Sequence, residues 1–142
     1  MIREITIVVT TTGGAGVATG TGLSDTKLNG FLEDVQVDYH ASAPATTDVV
    51  LSLVTPTRGN VLTMTDTNTD ARFIPRDTCV SPANAAITNS NTRIPLNGYL
   101  QVAVAQSNAL TAAVTVTVRY ADAASVVLGV KKPTRKRNPI KA

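Results

Sequence analysis

The chain of 142 residues is long enough for one compact domain and too short for two domains of ordinary size. Hydrophobic residues make up 43% of it and charged residues 16%, which allows a folded core and excludes a disordered chain. The net charge of +3 is unevenly divided: residues 1–130 hold seven basic and ten acidic side chains (7 − 10 = −3), whereas residues 131–142 hold six basic ones and no acid. The sequence therefore predicts a mildly acidic body and a basic end.

Aromatic residues are scarce, at 4% of the chain with no Trp, so the core must be filled by aliphatic side chains. Cys79 is the only cysteine, which excludes an internal disulfide framework and a thiolate metal cluster, and we expect it to be a small buried residue. His40 is the only histidine, and we expect it at the surface or half-buried rather than in a catalytic group.

The first 22 residues predict an N-terminal strand or arm. Residues 1–9 have an apolar run interrupted by Glu4 and lack the cleavage site of a signal peptide. No run approaches the ~18 apolar residues of a transmembrane helix, so we expect no membrane association and synthesis in the cytoplasm. The glycine-rich residues 10–16 lack the spacing of a phosphate-binding loop and favour a hairpin turn or an extended arm.

Strands are predicted in the middle of the chain by two-residue alternation. Residues 30–39 place Phe31, Val35, Val37 and Tyr39 on one face, and Glu33 interrupts the pattern as a bulge or strand edge would. Residues 49–55 are apolar on both faces, which is typical of a central strand. Further strands are predicted at residues 61–65 and 72–74.

The polar loop between those last two strands carries Asp66, Asn68 and Asp70, which have the spacing of a calcium loop. The loop lacks the glycine and the bidentate glutamate that such a site needs, so we predict a solvated turn there instead. Residues 81–86 favour one short helical turn at most.

The clearest alternation lies in residues 100–105 and 114–120. Turn-forming residues connect the two segments, which predicts that they pair as an antiparallel hairpin. Seven or eight short strands with no helical periodicity predict an all-β protein, an antiparallel β-sandwich of jelly-roll type over residues 1–129 with an extended basic tail over residues 130–142.

The tail concentrates like charges around two prolines and is expected to be extended. It would lie on an acidic protein surface, bind nucleic acid, or act only as a solubilising tail; we favour protein, because the body shows no basic face and few aromatics for stacking bases. The predicted partner-binding residues are Lys131, Lys132, Arg135, Lys136, Arg137 and Lys141.

The order of four segments, at residues 28–32, 47–51, 70–76 and 94–105, carries a family resemblance. It covers residues 28–120, which resemble small structural proteins of tailed-bacteriophage particles, of the capsid decoration or cement type. The shared style is short strands of Thr, Ala and Val, few charges and a polar arm at one end. The resemblance implies a virion protein that forms homo-oligomers, docks on a larger scaffold such as a major capsid protein, and carries no catalytic residue.

We therefore expect a protein that is not an enzyme, with no cofactor, no metal and no small-molecule substrate. Two alternatives remain: a receptor- or carbohydrate-binding β-sandwich module, and a nucleic-acid accessory protein that acts through its basic tail.

Overall fold

The protein is seen in a computed structural model that describes residues 1–54 and 59–123. Within these ranges the chain forms eleven strands and no helical element, and so no helix that could cross a membrane. The strands in chain order are β1 (Ile2–Val9), β2 (Ala18–Leu23), β3 (Gly30–Tyr39), β4 (Asp48–Leu53), β5 (Gly59–Met64), β6 (Ala71–Phe73), β7 (Asp77–Val80), β8 (Ala86–Thr92), β9 (Pro95–Leu96), β10 (Leu100–Ser107) and β11 (Val114–Asp122).

The strands form two antiparallel sheets and a separate ribbon. The first sheet has the order β1-β11-β3-β6 with β9 also paired to β3, the second has the order β2-β10-β4-β5, and β7 pairs only with β8. If β7 to β9 are set aside and the other strands are numbered 1 to 8, the sheets become 1-8-3-6 and 2-7-4-5. This is the connectivity of a jelly roll. The predicted β-sandwich of jelly-roll type is therefore confirmed.

The core lies between the two sheets and is built from aliphatic side chains at alternate positions. Val114, Val116 and Val118 of β11 are buried, and their neighbours in sequence are only partly covered. β4 alternates in the same way and lies between β10 and β5, as expected for a central strand. Alternation with a period of two residues is what places every second side chain on the inner face.

The bulge predicted at Glu33 is present in β3. Arg119 of β11 pairs with Asp34, but the next residue, Tyr120, pairs with Leu32, so Glu33 has no partner in the register. An extra residue reverses the facing of the side chains beyond it. Phe31 consequently points to the outer face and is 46% exposed, which corrects its predicted inner position.

The predicted hairpin between residues 100–105 and 114–120 is wrong, although both strands exist. β10 lies between β2 and β4 in the second sheet, and β11 lies between β1 and β3 in the first. The connection between them crosses from one sheet to the other, where Thr11 accepts a hydrogen bond from the backbone of Leu110. Alternation shows that each strand has one buried face, and a strand of either sheet satisfies that pattern.

The glycine-rich segment after β1 forms the expected turn. Thr12 and Thr19 exchange backbone hydrogen bonds of 2.9 and 3.0 Å, which fold the chain back from β1 into β2. β2 then lies very close to β1: a Cβ atom on Gly20 would be 2.4 Å from the carbonyl oxygen of Thr10. Glycine at this position is what allows the two sheets to meet at this corner.

Candidate docking surface

The ribbon of β7 and β8, together with its turn at residues 81–85, forms an arm (residues 77–92) inserted between β6 and β10. The backbone N–H of Ser81 donates to the carbonyl of Ala85 over 2.8 Å, and the N–H of Asn84 donates to Ser81 over 2.8 Å. Asn84 has a φ of 60°, a left-handed conformation that Asn tolerates better than most residues. Residues 81–86, for which the sequence allowed one short helical turn at most, form the tight turn of this hairpin and the start of β8.

The arm is exposed and carries no charge between its first residue and its end. Residues 78–92 contain no Asp, Glu, Lys or Arg. Val80 is 55% exposed and Ile87 is 46% exposed, and Ile74 just before the arm is 60% exposed. A solvated ribbon would normally carry charged side chains against unwanted association. The arm is therefore an exposed surface without charged side chains over residues 78–92.

Cys79 belongs to this arm. It is only partly buried and carries a free thiol, so the expectation of a buried core residue is wrong. The reason is that β7 pairs only with β8 among the described strands and is not packed beneath the sandwich.

A row of charges crosses the outer face of the first sheet. Asp34 on β3 accepts two hydrogen bonds from Arg119 on β11, from Nε over 3.0 Å and from Nη2 over 2.8 Å, and a further one from Arg72 on β6. Glu4 on β1 pairs in register with Arg119. Hydrogen bonding to Arg119 holds the pKa of the Asp34 carboxyl below its ordinary value, against the opposing effect of burial and with further help from Arg72. This row is internally neutralised and leaves little charge for a ligand.

One end of the same outer face is apolar. Ile2, Ala121 and Phe31 are direct register partners across β1, β11 and β3, so their side chains lie in a row on one face. Ile2 is 57% exposed. Beside this row is a groove of about 390 Å³ lined by Phe31, Thr92, Arg93 and Ala121.

Arg93 fixes the far wall of this groove, at the base of the arm. Its Nη1 donates to a carboxylate oxygen of Glu33 over 2.7 Å, and its guanidinium carbon is 6.0 Å from the centre of the Phe31 ring. The charge of Arg93 is thus satisfied by the bulge residue, and the hydrocarbon part of the side chain and the ring are left facing the groove.

The loop of residues 66–70 is attached by hydrogen bonds to neighbouring segments of the body. Asp70 accepts from the backbone of Tyr39 over 2.7 Å, and the side-chain amide of Asn68 donates to the carbonyl of Ala43 over 2.8 Å. The N–H of Asp66 donates to Asp48 over 2.9 Å. The side chains of Asp70 and Asn68, two of the three candidate calcium ligands, thus bind backbone groups of neighbouring segments. Within residues 1–54 and 59–123, no group of three acidic, histidine or cysteine residues could hold a metal ion.

His40 is exposed at the end of β3, as expected, and its Nδ1 accepts a hydrogen bond of 3.0 Å from the backbone of Ser42. The six predicted tail residues, from Lys131 to Lys141, lie outside the described residues. Their role in binding a partner stays a prediction.

Sequence reasoning missed both the arm and the groove. The arm had a visible signal, a run of fifteen residues without charge at positions 78–92, in a chain that is 16% charged. The groove had none, because it depends on a bulge that reverses Phe31 and on a strand pairing, β11 with β3, that alternation does not specify.

The chain matches no protein-family model and no curated protein sequence. Solved structures that resemble it include a mutant of the carbohydrate-binding module CBM29-2, with a TM-score of 0.33, 7% identity, and coverage of 84% of this chain and 81% of that one. Another is titled carbohydrate binding module family 29, with a TM-score of 0.30, 7% identity, and coverage of 84% and 75%. Similarity at this level does not decide what the chain binds.

Proposed function

We propose that this chain is a non-enzymatic structural protein of a virus particle, which docks on a larger protein assembly, such as a phage capsid, and associates with copies of itself. The observation that carries this proposal is the exposed, uncharged arm of residues 77–92. An isolated two-stranded ribbon is at best marginally stable in water. An arm of this kind gains order when a neighbouring subunit covers it.

The apolar residues of the arm favour a protein as the partner. Val80 and Ile87 are about half exposed and would each lose contact with water in an interface. Burial of such side chains is favourable by roughly 1 to 2 kcal/mol each. A sugar or a nucleic acid would require aromatic platforms or positive charge, and residues 78–92 contain neither.

The fold agrees with this proposal by analogy alone. Jelly rolls occur in viral capsid proteins and also in lectins, so the fold does not separate an assembly protein from a carbohydrate-binding one. The basic tail adds a second means of attachment, by reaching an acidic surface on a neighbour, with local concentration increased by the first contact. The particle itself is the proposed location of the protein.

The carbohydrate-binding alternative has little support among the described aromatic residues. Tyr120 is 7% exposed and Tyr39 is partly buried, as alternation predicted. Burial raises the pKa of Tyr39 to about 12, with Asp70 and Asp48 adding to the effect. Phe31 and Tyr99 are exposed, but Phe31 lies beside a groove of the first sheet and Tyr99 precedes β10 of the second. They do not form a common platform on the described surface.

The test is the native mass of the purified chain by light scattering, at low and at moderate salt. We expect a discrete oligomer at both. A Val80→Ser, Ile87→Ser double variant should weaken self-association roughly thirtyfold, since about 2 kcal/mol of apolar burial is removed. The matched control is Leu23→Ser on β2, where the side chain is 56% exposed. It should leave the mass unchanged.

A wild-type chain that is monomeric under all these conditions would contradict self-association. An oligomer that is unaffected by the double variant would contradict the role of the arm. Binding to soluble polysaccharides by a monomeric wild-type chain would favour the carbohydrate-binding alternative instead.

A further inference from the structure

We propose that Asn97 is a site of spontaneous covalent modification, at which the side-chain amide is hydrolysed to a carboxylate through a cyclic imide formed with the backbone of Gly98. The reaction needs no enzyme and consumes only water. The second Asn-Gly pair of the chain, Asn29 with Gly30, is held by the fold in a form that does not react. This assignment goes beyond the proposed function and does not depend on it.

The chemistry follows from the residue type and its neighbour. The backbone nitrogen of Gly98 attacks the side-chain carbonyl carbon of Asn97 and forms a C–N bond, and the amide nitrogen leaves as ammonia with the proton of the attacking N–H. Water then opens the five-membered imide at one of its two carbonyls, which gives aspartate or isoaspartate. A following glycine favours ring closure, because it has no Cβ atom to hinder rotation of the backbone.

Asn97 lies in the connection between β9 and β10, outside either strand, and is exposed. Gly98 follows it in a bend of the chain. The carbonyl of Gly98 accepts a hydrogen bond of 2.9 Å from the backbone N–H of Leu28, but its own N–H donates to no group within residues 1–54 and 59–123. Attack by this nitrogen therefore breaks no hydrogen bond of the described fold and opens no strand pair.

Asn29 is also exposed, but its backbone is fixed on both sides. Its carbonyl accepts a hydrogen bond of 2.9 Å from the N–H of Ala123. Gly30 is the first residue of β3 and is paired with β11 on one side and with β9 on the other. A Cβ atom on Gly30 would clash with the carbonyl oxygen of Ala121, so the backbone is packed too closely to rotate. Ring closure depends on that rotation, since the two reacting atoms must first be brought into line.

The product changes the surface at this corner of the molecule. Lys27, Asn29 and Asn97 lie around one depression, so a carboxylate at position 97 would be a neighbour of the Lys27 side chain. Conversion takes the net charge from +3 to +2 (3 − 1). The isoaspartate form also adds one backbone atom to the connection between β9 and β10. The modification thus adds a negative charge and lengthens a loop without cutting the chain.

Peptide mapping of the full-length chain by mass spectrometry tests this assignment. The chain is incubated for days in mildly alkaline buffer, once folded and once unfolded in concentrated urea. Trypsin cleaves after Lys27 and Arg93, which places the two asparagines on different peptides. In the folded protein we expect conversion at Asn97 to be at least about tenfold faster than at Asn29. In urea the two rates should agree within about threefold, because only the local sequence then acts.

Asn97→Gln is the matched control, because it keeps the amide but would have to close a six-membered ring, and it should show no conversion at position 97. Equal rates at the two asparagines of the folded protein would overturn the assignment by showing that the sheet gives no protection. Conversion of Asn29 alone, or of neither asparagine, in the folded protein would overturn it by showing that the fold protects Asn97. None of these results bears on the native mass of the arm variants, so the two proposals fail separately.

Discussion

Asp34 lies on the outer face of the first sheet with the guanidinium groups of Arg119 and Arg72 around its carboxylate. The Asp34 side chain is 10% exposed, whereas those of Arg72 and Arg119 are 54% and 39% exposed. Such an arrangement joins three strands, β3, β6 and β11, through one residue. Removing the charge would leave two arginines facing a neutral amide.

We therefore expect Asp34→Asn to lower the free energy of unfolding by about 2 kcal/mol at neutral pH. Because the folded pKa of Asp34 lies below its unfolded value of about 3.9, this stabilisation is present above pH 4 and is lost as the pH falls through the folded pKa. Urea titrations between pH 7 and pH 2 measure both effects.

The control is Asp38→Asn, on the same face of β3, where the carboxylate accepts a hydrogen bond of 3.0 Å from Gln36. That change should cost less than about 1 kcal/mol and leave the acid dependence in place. Equal losses from the two variants would mean that the pair of arginines adds nothing beyond an ordinary surface contact.

At the scale of elements, β2 depends on glycine for its contact with β1. A Cβ on Gly20 would stand 2.4 Å from a backbone oxygen, an atom that cannot move without shifting β1. We expect Gly20→Ala to destabilise the protein by about 2 kcal/mol or more. Thermal unfolding measures the change.

Gly14→Ala, in the turn that precedes β2, is the matched control. Its Cβ would meet only the side chain of Val17, at 3.2 Å, and Val17 is 70% exposed and free to turn away. This variant should stay within about 0.5 kcal/mol of the wild type. A similar cost for both changes would show that the corner between the sheets is not closely packed.

The strands themselves were largely predictable, and their pairing was not. Residues 30–39 predicted β3 and its bulge because alternation is a local property of the chain. Alternation in residues 100–105 and 114–120 was equally clear, yet β10 and β11 lie in different sheets. A buried face identifies a strand but not its neighbours, since any apolar face of the opposite sheet can cover it.

Strand β8 of the arm is a strand that alternation does not predict at all. β8 has an exposed pattern over nearly all its length and lacks alternation, so periodicity gives no strand there. Its order comes from pairing with β7 across a turn that Asn84 stabilises. The signal in the sequence was the lack of charged residues at positions 78–92. That signal bears on function and not on secondary structure.

At the scale of the whole molecule, charge is divided between a body of −3 and a basic end of +6, obtained from seven basic and ten acidic residues against six basic ones. Opposite charges on different parts of one chain allow the tail of one copy to attract the body of another. Such an attraction between exposed groups is screened by salt, whereas the apolar contact of the arm is not. The two proposed contacts can therefore be separated by ionic strength.

We expect replacement of five tail residues by serine to leave thermal unfolding unchanged and to weaken docking on the partner surface roughly tenfold at low salt. The residues are Lys131, Lys132, Arg135, Lys136 and Arg137, whose loss takes the net charge from +3 to −2 (3 − 5). The wild-type association should weaken as salt is raised, and that of the variant should respond little. Light scattering across a salt series measures both slopes.

A charge-preserving variant, Arg135→Lys with Arg137→Lys, should behave as the wild type. Docking that stays unchanged in the serine variant would leave the tail without a role in assembly, and tight binding of nucleic acid by the wild type alone would assign the tail to that partner instead.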